Sequence, residues 1–319
     1  LVLNKLAKAV FAVPGIANVQ SITRPEGTQL EHSSIPFMLS MSNASQRLSL
    51  PFQKERMEDM LTQADEMSKT IALMQRMYLA LARGEAKPMA GTLEKRPELA
   101  RPNQFANFVR NHDELTLDKL TEKERQEVFD AFGPDPDMQL FDRGLRRRLP
   151  TMLDGDPRRI KMVYSLLFAL PGTPVLFYGE EIGMGENLDI PGRLSMRTPM
   201  QWTAGRNGGF SEAVPSRVVC PPPTGAFAPE HVNAEDQRND PDSLLAFVGQ
   251  LARRYRECPE VGMGEFEVLS VDAPSVLAHR CTWTQFGGGV ASSVLVHNLG
   301  PEACEITVTL DDVAEGTRV

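Results

Sequence analysis

Cysteine is scarce. The 319 residues hold four, Cys220, Cys258, Cys281 and Cys304, all within the last hundred positions and none in a Cys-x-x-Cys pair. A chain this long can bury a core without covalent staples, so buried free thiols are expected in preference to disulfides, and that points to the reducing cytoplasm. A tract of Lys and Arg is also missing, and the net charge of −8 argues against nucleic acid or any other polyanion as a partner. No apolar run approaches the roughly 18 to 20 residues needed to cross a bilayer, and the start lacks a basic region followed by an apolar one, so no membrane span or secretory leader is expected. Leu1 stands where an initiator Met would, which fits an internal piece of a longer product.

Taken in order, the apolar residues Leu3, Leu6, Ala7, Val10 and Phe11 recur at helical spacing until Pro14-Gly15. Extended segments are expected at Val19–Ile22 and Ile35–Met41. A longer helix is expected from about Gln53 to Tyr78, with a stripe of methionines and leucine that reads as a packing face. Pro88 to Pro102 reads as a polar connector, and the stretch from the Asp113 region through Glu124 as a polar run. Gly144-Leu145-Arg146-Arg147-Arg148-Leu149 is a basic patch, read first as an exposed helix start paired with acidic neighbours and alternatively as a substrate contact. Asp156 caps a helix beginning near Pro157, and Ser243 to Arg256 gives an amphipathic helix. Beyond it, four short alternating runs at Phe266–Val271, Ser275–Cys281, Ala291–Val296 and Glu305–Leu310 suit a small antiparallel sandwich.

Chemistry concentrates between Phe105 and Trp202. Phe105 to Val109 reads as a buried strand that stops at Arg110-Asn111-His112-Asp113-Glu114, and Pro174-Val175-Leu176-Phe177-Tyr178 as a second one that stops at Gly179-Glu180-Glu181. An apolar helix pattern lies between them. In α/β barrels the functional residues sit on loops at the carboxyl ends of strands, so charged groups capping two successive strands are candidates for one pocket.

Asn111-His112-Asp113, Gly172-Thr173-Pro174 through Gly179-Glu180-Glu181, and Arg197-Thr198-Pro199-Met200-Gln201-Trp202 together resemble the α-amylase family of glycoside hydrolases, in particular trehalose synthases and related α-glucosidases. The resemblance implies an α/β fold, the C-terminal part of a (β/α)8 TIM barrel at 79–258, followed by a β-sandwich domain at 259–319. It implies α-glucosides such as maltose as ligand, with no cofactor and no assignable metal. Asp113 would be the carboxylate that stabilises the transition state, and His112, Asn111, Glu181, Gln201 and Trp202 would contact sugar; for Glu180 and Glu181 a purely structural role is equally open. Retaining glycoside hydrolysis also needs a nucleophile and a general acid. The family carries its nucleophile in a Gly-x-Arg-x-Asp stretch, and none occurs here. Catalytic incompleteness is therefore expected.

The first part resembles something else. Phe11 through Thr28, His32 through Phe37, Met57 through Leu61 and Ala64 through Met67 resemble an extracytoplasmic segment of the mycobacterial MmpL lipid transporters of the resistance-nodulation-division type. The resemblance implies an unrelated α+β segment at 1–78, joined to the amylase-like part inside a helix between about Met74 and Leu81. Three readings follow: a truncated α-glucoside-handling protein, a transporter-derived module that binds lipid or partner proteins, and a fusion without selected function.

Overall fold

The structure, a computed structural model, describes residues 71–97, 99, 104–284, 288–308 and 310. All belong to one unit of the chain, Met67–Val319. The expected elements at Leu3–Val13, Val19–Ile22, Ile35–Met41 and Gln53 to residue 70 lie outside the described residues, as do residues 1–70 of the transporter-like segment expected at 1–78. No helix among the described residues is long and apolar enough to cross a membrane.

Helix α1 occupies residues 71–83 and runs without interruption through the expected join at Met74 to Leu81. Leu73, Met74, Met77, Tyr78, Leu79, Ala80 and Leu81 are all buried in the main core, so that part of the methionine stripe is a packing face. Helix α2, Lys87–Leu93, replaces the expected connector. Pro88 sits in its first turn, where the missing N–H costs nothing.

Strand β1 (Ala106–Phe108) pairs in parallel with β5 (Thr173–Val175), Ala106 opposite Thr173. A parallel pair needs a long crossover, and this one contains strand β2 (Leu115–Thr116), helix α3 (Glu122–Phe132), strands β3 (Gln139–Leu140) and β4 (Gly144–Leu145), and helices α4 (Leu149–Met152) and α5 (Pro157–Ala169). Strands β2, β4 and β3 form a small antiparallel sheet. Helix α3 falls where a polar run was expected. Its signal was present: Thr121 and Glu124 form a reciprocal capping box, and Val128, Phe129 and Phe132 supply the buried face. Asp156 caps α5 as expected, accepting from the N–H groups of Arg158 and Arg159.

Chain return into β5 depends on Gly172. Its φ is 113°, and an ideal Cβ there would meet the Phe105 carbonyl oxygen at 2.5 Å, so no other residue fits between β1 and β5. Arg96 closes the same corner, stacking its guanidinium 3.7 Å over the Phe105 ring and donating to the Pro171 carbonyl (2.7 Å) and the Asn107 side chain (2.8 Å).

Helices α6 (Ala234–Arg238), α7 (Leu244–Glu257, capped by Ser243) and α8 (Pro259–Met263) precede a three-stranded antiparallel sheet of β6 (Glu265–Leu269), β7 (Val276–Thr284) and β8 (Val290–Asn298), in the order β6-β7-β8. The expected fourth run differs: its described residues 305–308 and 310 take no strand structure, so the described part of 259–319 forms one sheet and not two. Helices serve as its second layer, with Leu277 and Leu299 joining the same core as α5 and α7.

Two buried histidines fasten that sheet to α5. His279 Nε2 lies 2.9 Å from the Ala169 carbonyl and His297 Nε2 lies 3.0 Å from Ser165 Oγ. Burial pushes both below the ordinary imidazole range, and the neighbouring His279 adds to the depression of His297, which falls to about 4. An unfolded chain takes up protons below about pH 6.5 that the folded chain refuses, His297 until near pH 4, so stability is complete above 6.5 and is lost on acidification. Thermal unfolding measured from pH 7.5 to 4.5 should show a falling Tm, with a shallower fall in His297→Gln; parallel pH profiles for both proteins would contradict this.

Candidate functional site

The loop after β1 is built before any ligand arrives. Asn111 Oδ1 accepts the Asp113 backbone N–H at 2.9 Å, an Asx turn that swings the Asp113 side chain away from the strand. Beneath it, buried Arg110 donates to the Asp113 carbonyl (2.6 Å) and the Arg147 carbonyl (2.7 Å), and contacts Met196. Burial lowers its pKa to about 10, so it remains a cation at neutral pH.

Three more arginines meet two carboxylates above. Asp113 Oδ1 lies 3.0 Å from Arg197 Nη2 and 3.4 Å from Arg193 Nη1, while Oδ2 lies 3.5 Å from His112 Nε2. Arg197 also donates to the His112 carbonyl at 2.6 Å. Buried Glu114 accepts from Arg193 at 2.7 Å and faces Arg143 at 3.6 Å. The Asp113 pairs are part-exposed and contribute little to stability individually. Their effect is positional: the first residue of Arg197-Thr198-Pro199-Met200-Gln201-Trp202 is tied to the last residue of Asn111-His112-Asp113.

The basic patch leads into helix α4 and pairs with an acidic neighbour as expected, but it is not exposed. Arg146 and Arg148 are buried and Arg147 nearly so. Arg146 donates to the carbonyls of Ile190 and Leu188. Arg147 pairs with Glu186 at 3.0 Å. Arg148 donates to the carbonyls of Met196 and Tyr178 and lies over the Phe177 and Tyr178 rings. A loop that cannot form strand or helix ladders has orphan carbonyls, and the guanidinium fork satisfies several at once. These three side chains hold the 186–196 loop against the β5 end.

Of the remaining expected contacts, Gln201 is wholly buried and gives its amide to the carbonyls of Phe227 and Val232, so it braces its loop and does not face solvent. Trp202 is exposed, Glu181 is half-buried, and Asn111 is engaged in its turn. Glu180 lies inside: Oε2 accepts the Phe177 N–H at 2.7 Å, and Oε1 has no hydrogen-bond partner. Tyr178, missed as a site-shaping residue, donates to the Thr198 carbonyl at 2.7 Å and ties the end of β5 to the 197–202 loop. A concavity of about 460 Å³ lies elsewhere, between α1 and α2 and lined by Arg76, Arg83, Lys87 and Lys95. Among the described residues no group of three metal-ligating side chains converges, and Cys281 alone of the free cysteines is buried, contrary to the expectation for all four.

Comparisons with known proteins divide the chain in two. Residues 140–261 match the α-amylase catalytic domain. A trehalose synthase of Thermus thermophilus is 40% identical over 215 residues, which is 67% of this chain and 22% of that protein. The trehalose synthase/amylase TreS of Mycobacterium tuberculosis is 39% identical over 238 residues, 73% of this chain and 39% of the relative. A second resemblance, to the probable transport protein MmpL4 of Mycobacterium leprae, reaches 54% identity over 82 residues, 26% of this chain and 9% of that one. An α-amylase from H. orenii superposes with a TM-score of 0.49 at 20% identity, covering 71% of this chain and 38% of that one. The chain spans well under half the length of each relative. Residues 79–319 thus resemble the C-terminal part of an α-amylase-family protein of trehalose-synthase type, and residues 1–78 a segment of an MmpL transporter.

Burial pushes Glu180 up to about 8; the Phe177 N–H, Arg148 and Arg110 oppose the rise and Glu181 adds to it. A carboxyl raised above its unfolded value stabilises fully below about pH 4.5, and that contribution is lost as pH climbs through 8. Comparing Tm at pH 6 and pH 9 should show an alkaline decline that Glu180→Gln flattens; an equal decline in the variant would show that Glu180 is already ionised when folded.

Proposed function

We propose that residues 79–258 are the C-terminal part of a (β/α)8 barrel of α-amylase type, followed by its small β domain at 259–319, and that this part handles α-glucosides such as maltose through Asp113. The carrying observation is the meeting of two motifs 84 positions apart, Asp113 and Arg197, at 3.0 Å. The parallel pairing of β1 with β5 through a helical crossover fits adjacent barrel strands whose carboxyl ends carry the site. A retaining reaction requires a nucleophile and an acid/base roughly 5 Å apart, with the glucosyl cation-like transition state between them. Asp113, His112, Arg197 and Arg193 supply charge and hydrogen bonds to such a sugar. They supply no Gly-x-Arg-x-Asp nucleophile, and a carboxylate engaged by two guanidinium groups at 3.0 and 3.4 Å is held as a fixed anion. That role is electrostatic and differs from covalent attack.

The 319 residues by themselves are accordingly read as catalytically incomplete, and the free thiols fit a cytoplasmic setting. The match to MmpL4 favours a second reading for residues 1–78, a transporter-derived segment that binds lipid or a partner protein. Incubating the purified chain with maltose or a nitrophenyl α-glucoside should give no turnover above buffer. Turnover abolished by Asp113→Ala would overturn the incompleteness.

A further inference from the structure

The small sheet ends in a turn of unusual composition. Phe141 and Asp142 have φ of 57° and 53°, and the Arg143 N–H closes the turn on the Leu140 carbonyl at 3.4 Å. Two successive left-handed positions in a hairpin turn are the usual places of Asn and Gly. A bulky aromatic residue there strains the backbone. Burial does not recover that cost, because Phe141 is 57% exposed. Its ring meets Arg193, whose guanidinium carbon lies 5.2 Å from the ring centre, and an exposed contact of that kind offsets only part of the strain. The balance is unfavourable, so the ring is not explained by folding.

Its location offers the explanation. Arg193 lies between the Phe141 ring and the two carboxylates, 2.7 Å from Glu114 and 3.4 Å from Asp113. Arg193 therefore contacts both the Phe141 ring and the carboxylates of the candidate site. A pyranose presents a face of C–H bonds and a rim of hydroxyls, which matches an apolar aromatic face flanked by charged hydrogen-bonding groups.

We propose that Phe141 is a stacking platform for the second glucosyl ring of a disaccharide whose first ring is held at Asp113. This rests on the α-glucoside reading of Asp113. Saturation transfer from the full chain to maltose and to trehalose tests it, with thermal unfolding measured on the same samples. The wild-type chain should transfer to glucosyl ring protons and Asp113→Asn should abolish the signal. Phe141→Gly should weaken binding by about five- to tenfold, the span expected of one aromatic face, while raising Tm by roughly 2–4 °C through relief of the turn. A lowered Tm in Phe141→Gly, or sugar contact that persists in it while Asp113→Asn abolishes it, overturns the platform and leaves the glucoside reading intact. Absence of transfer to either sugar in the wild type overturns both.

Discussion

One ion pair organises the loops at the carboxyl end of β1. Asp113 leaves the end of β1 on a short Asx turn, and Arg197 reaches it from a loop that has almost no regular structure of its own. An irregular loop of that length has to find partners for its carbonyls and a reason to stop moving. It finds both in arginine. Arg146 and Arg148 satisfy its carbonyls from below, Arg147 pairs with Glu186, and Arg193 and Arg197 satisfy the carboxylates of the facing loop. The net acidity of the chain hides this, because the cations that matter are concentrated along one seam.

The same seam separates what the sequence makes legible from what it does not. Asp156 and Ser243 announce their helices because a cap is local chemistry, decided within three residues. The strand at Phe105–Val109 is legible because a run of apolar residues ends at a polar cluster. The start of helix α3 is obscured by its charge: the sequence through Glu124 reads as a polar run, although Thr121 and Glu124 form the capping box that starts the helix. The arginines could not be read at all. Arg146-Arg147-Arg148 looks solvated in sequence, and only the fold reveals that each guanidinium has carbonyls or a carboxylate within reach. Gln201 misleads in the same way, since an amide in a sugar-binding motif and an amide bracing a loop have identical sequence signatures.

Domain organisation was read from resemblance, and physics constrains it only in part. Helix α1 passes through the expected join without a break, because neither Gly nor Pro interrupts residues 71–83 and both sides of the join offer apolar residues to one core. A continuous helix is indifferent to the origin of its two ends. Parallel strands β1 and β5 are a different matter: parallel sheets are ordinarily covered on both faces, yet Thr173 and Val175 are exposed. That exposure agrees with a barrel represented by a minority of its strands.

The proposed role of Asp113 is electrostatic and not covalent. A fluorinated α-glucosyl fluoride, which arrests retaining enzymes at the glycosyl adduct, reads this out directly by intact-mass spectrometry of the purified chain. The account predicts an unchanged protein mass after prolonged incubation. A one-to-one glycosyl adduct on any aspartate or glutamate would contradict it, because it would show a nucleophile at work that Asp113 and its arginines do not supply.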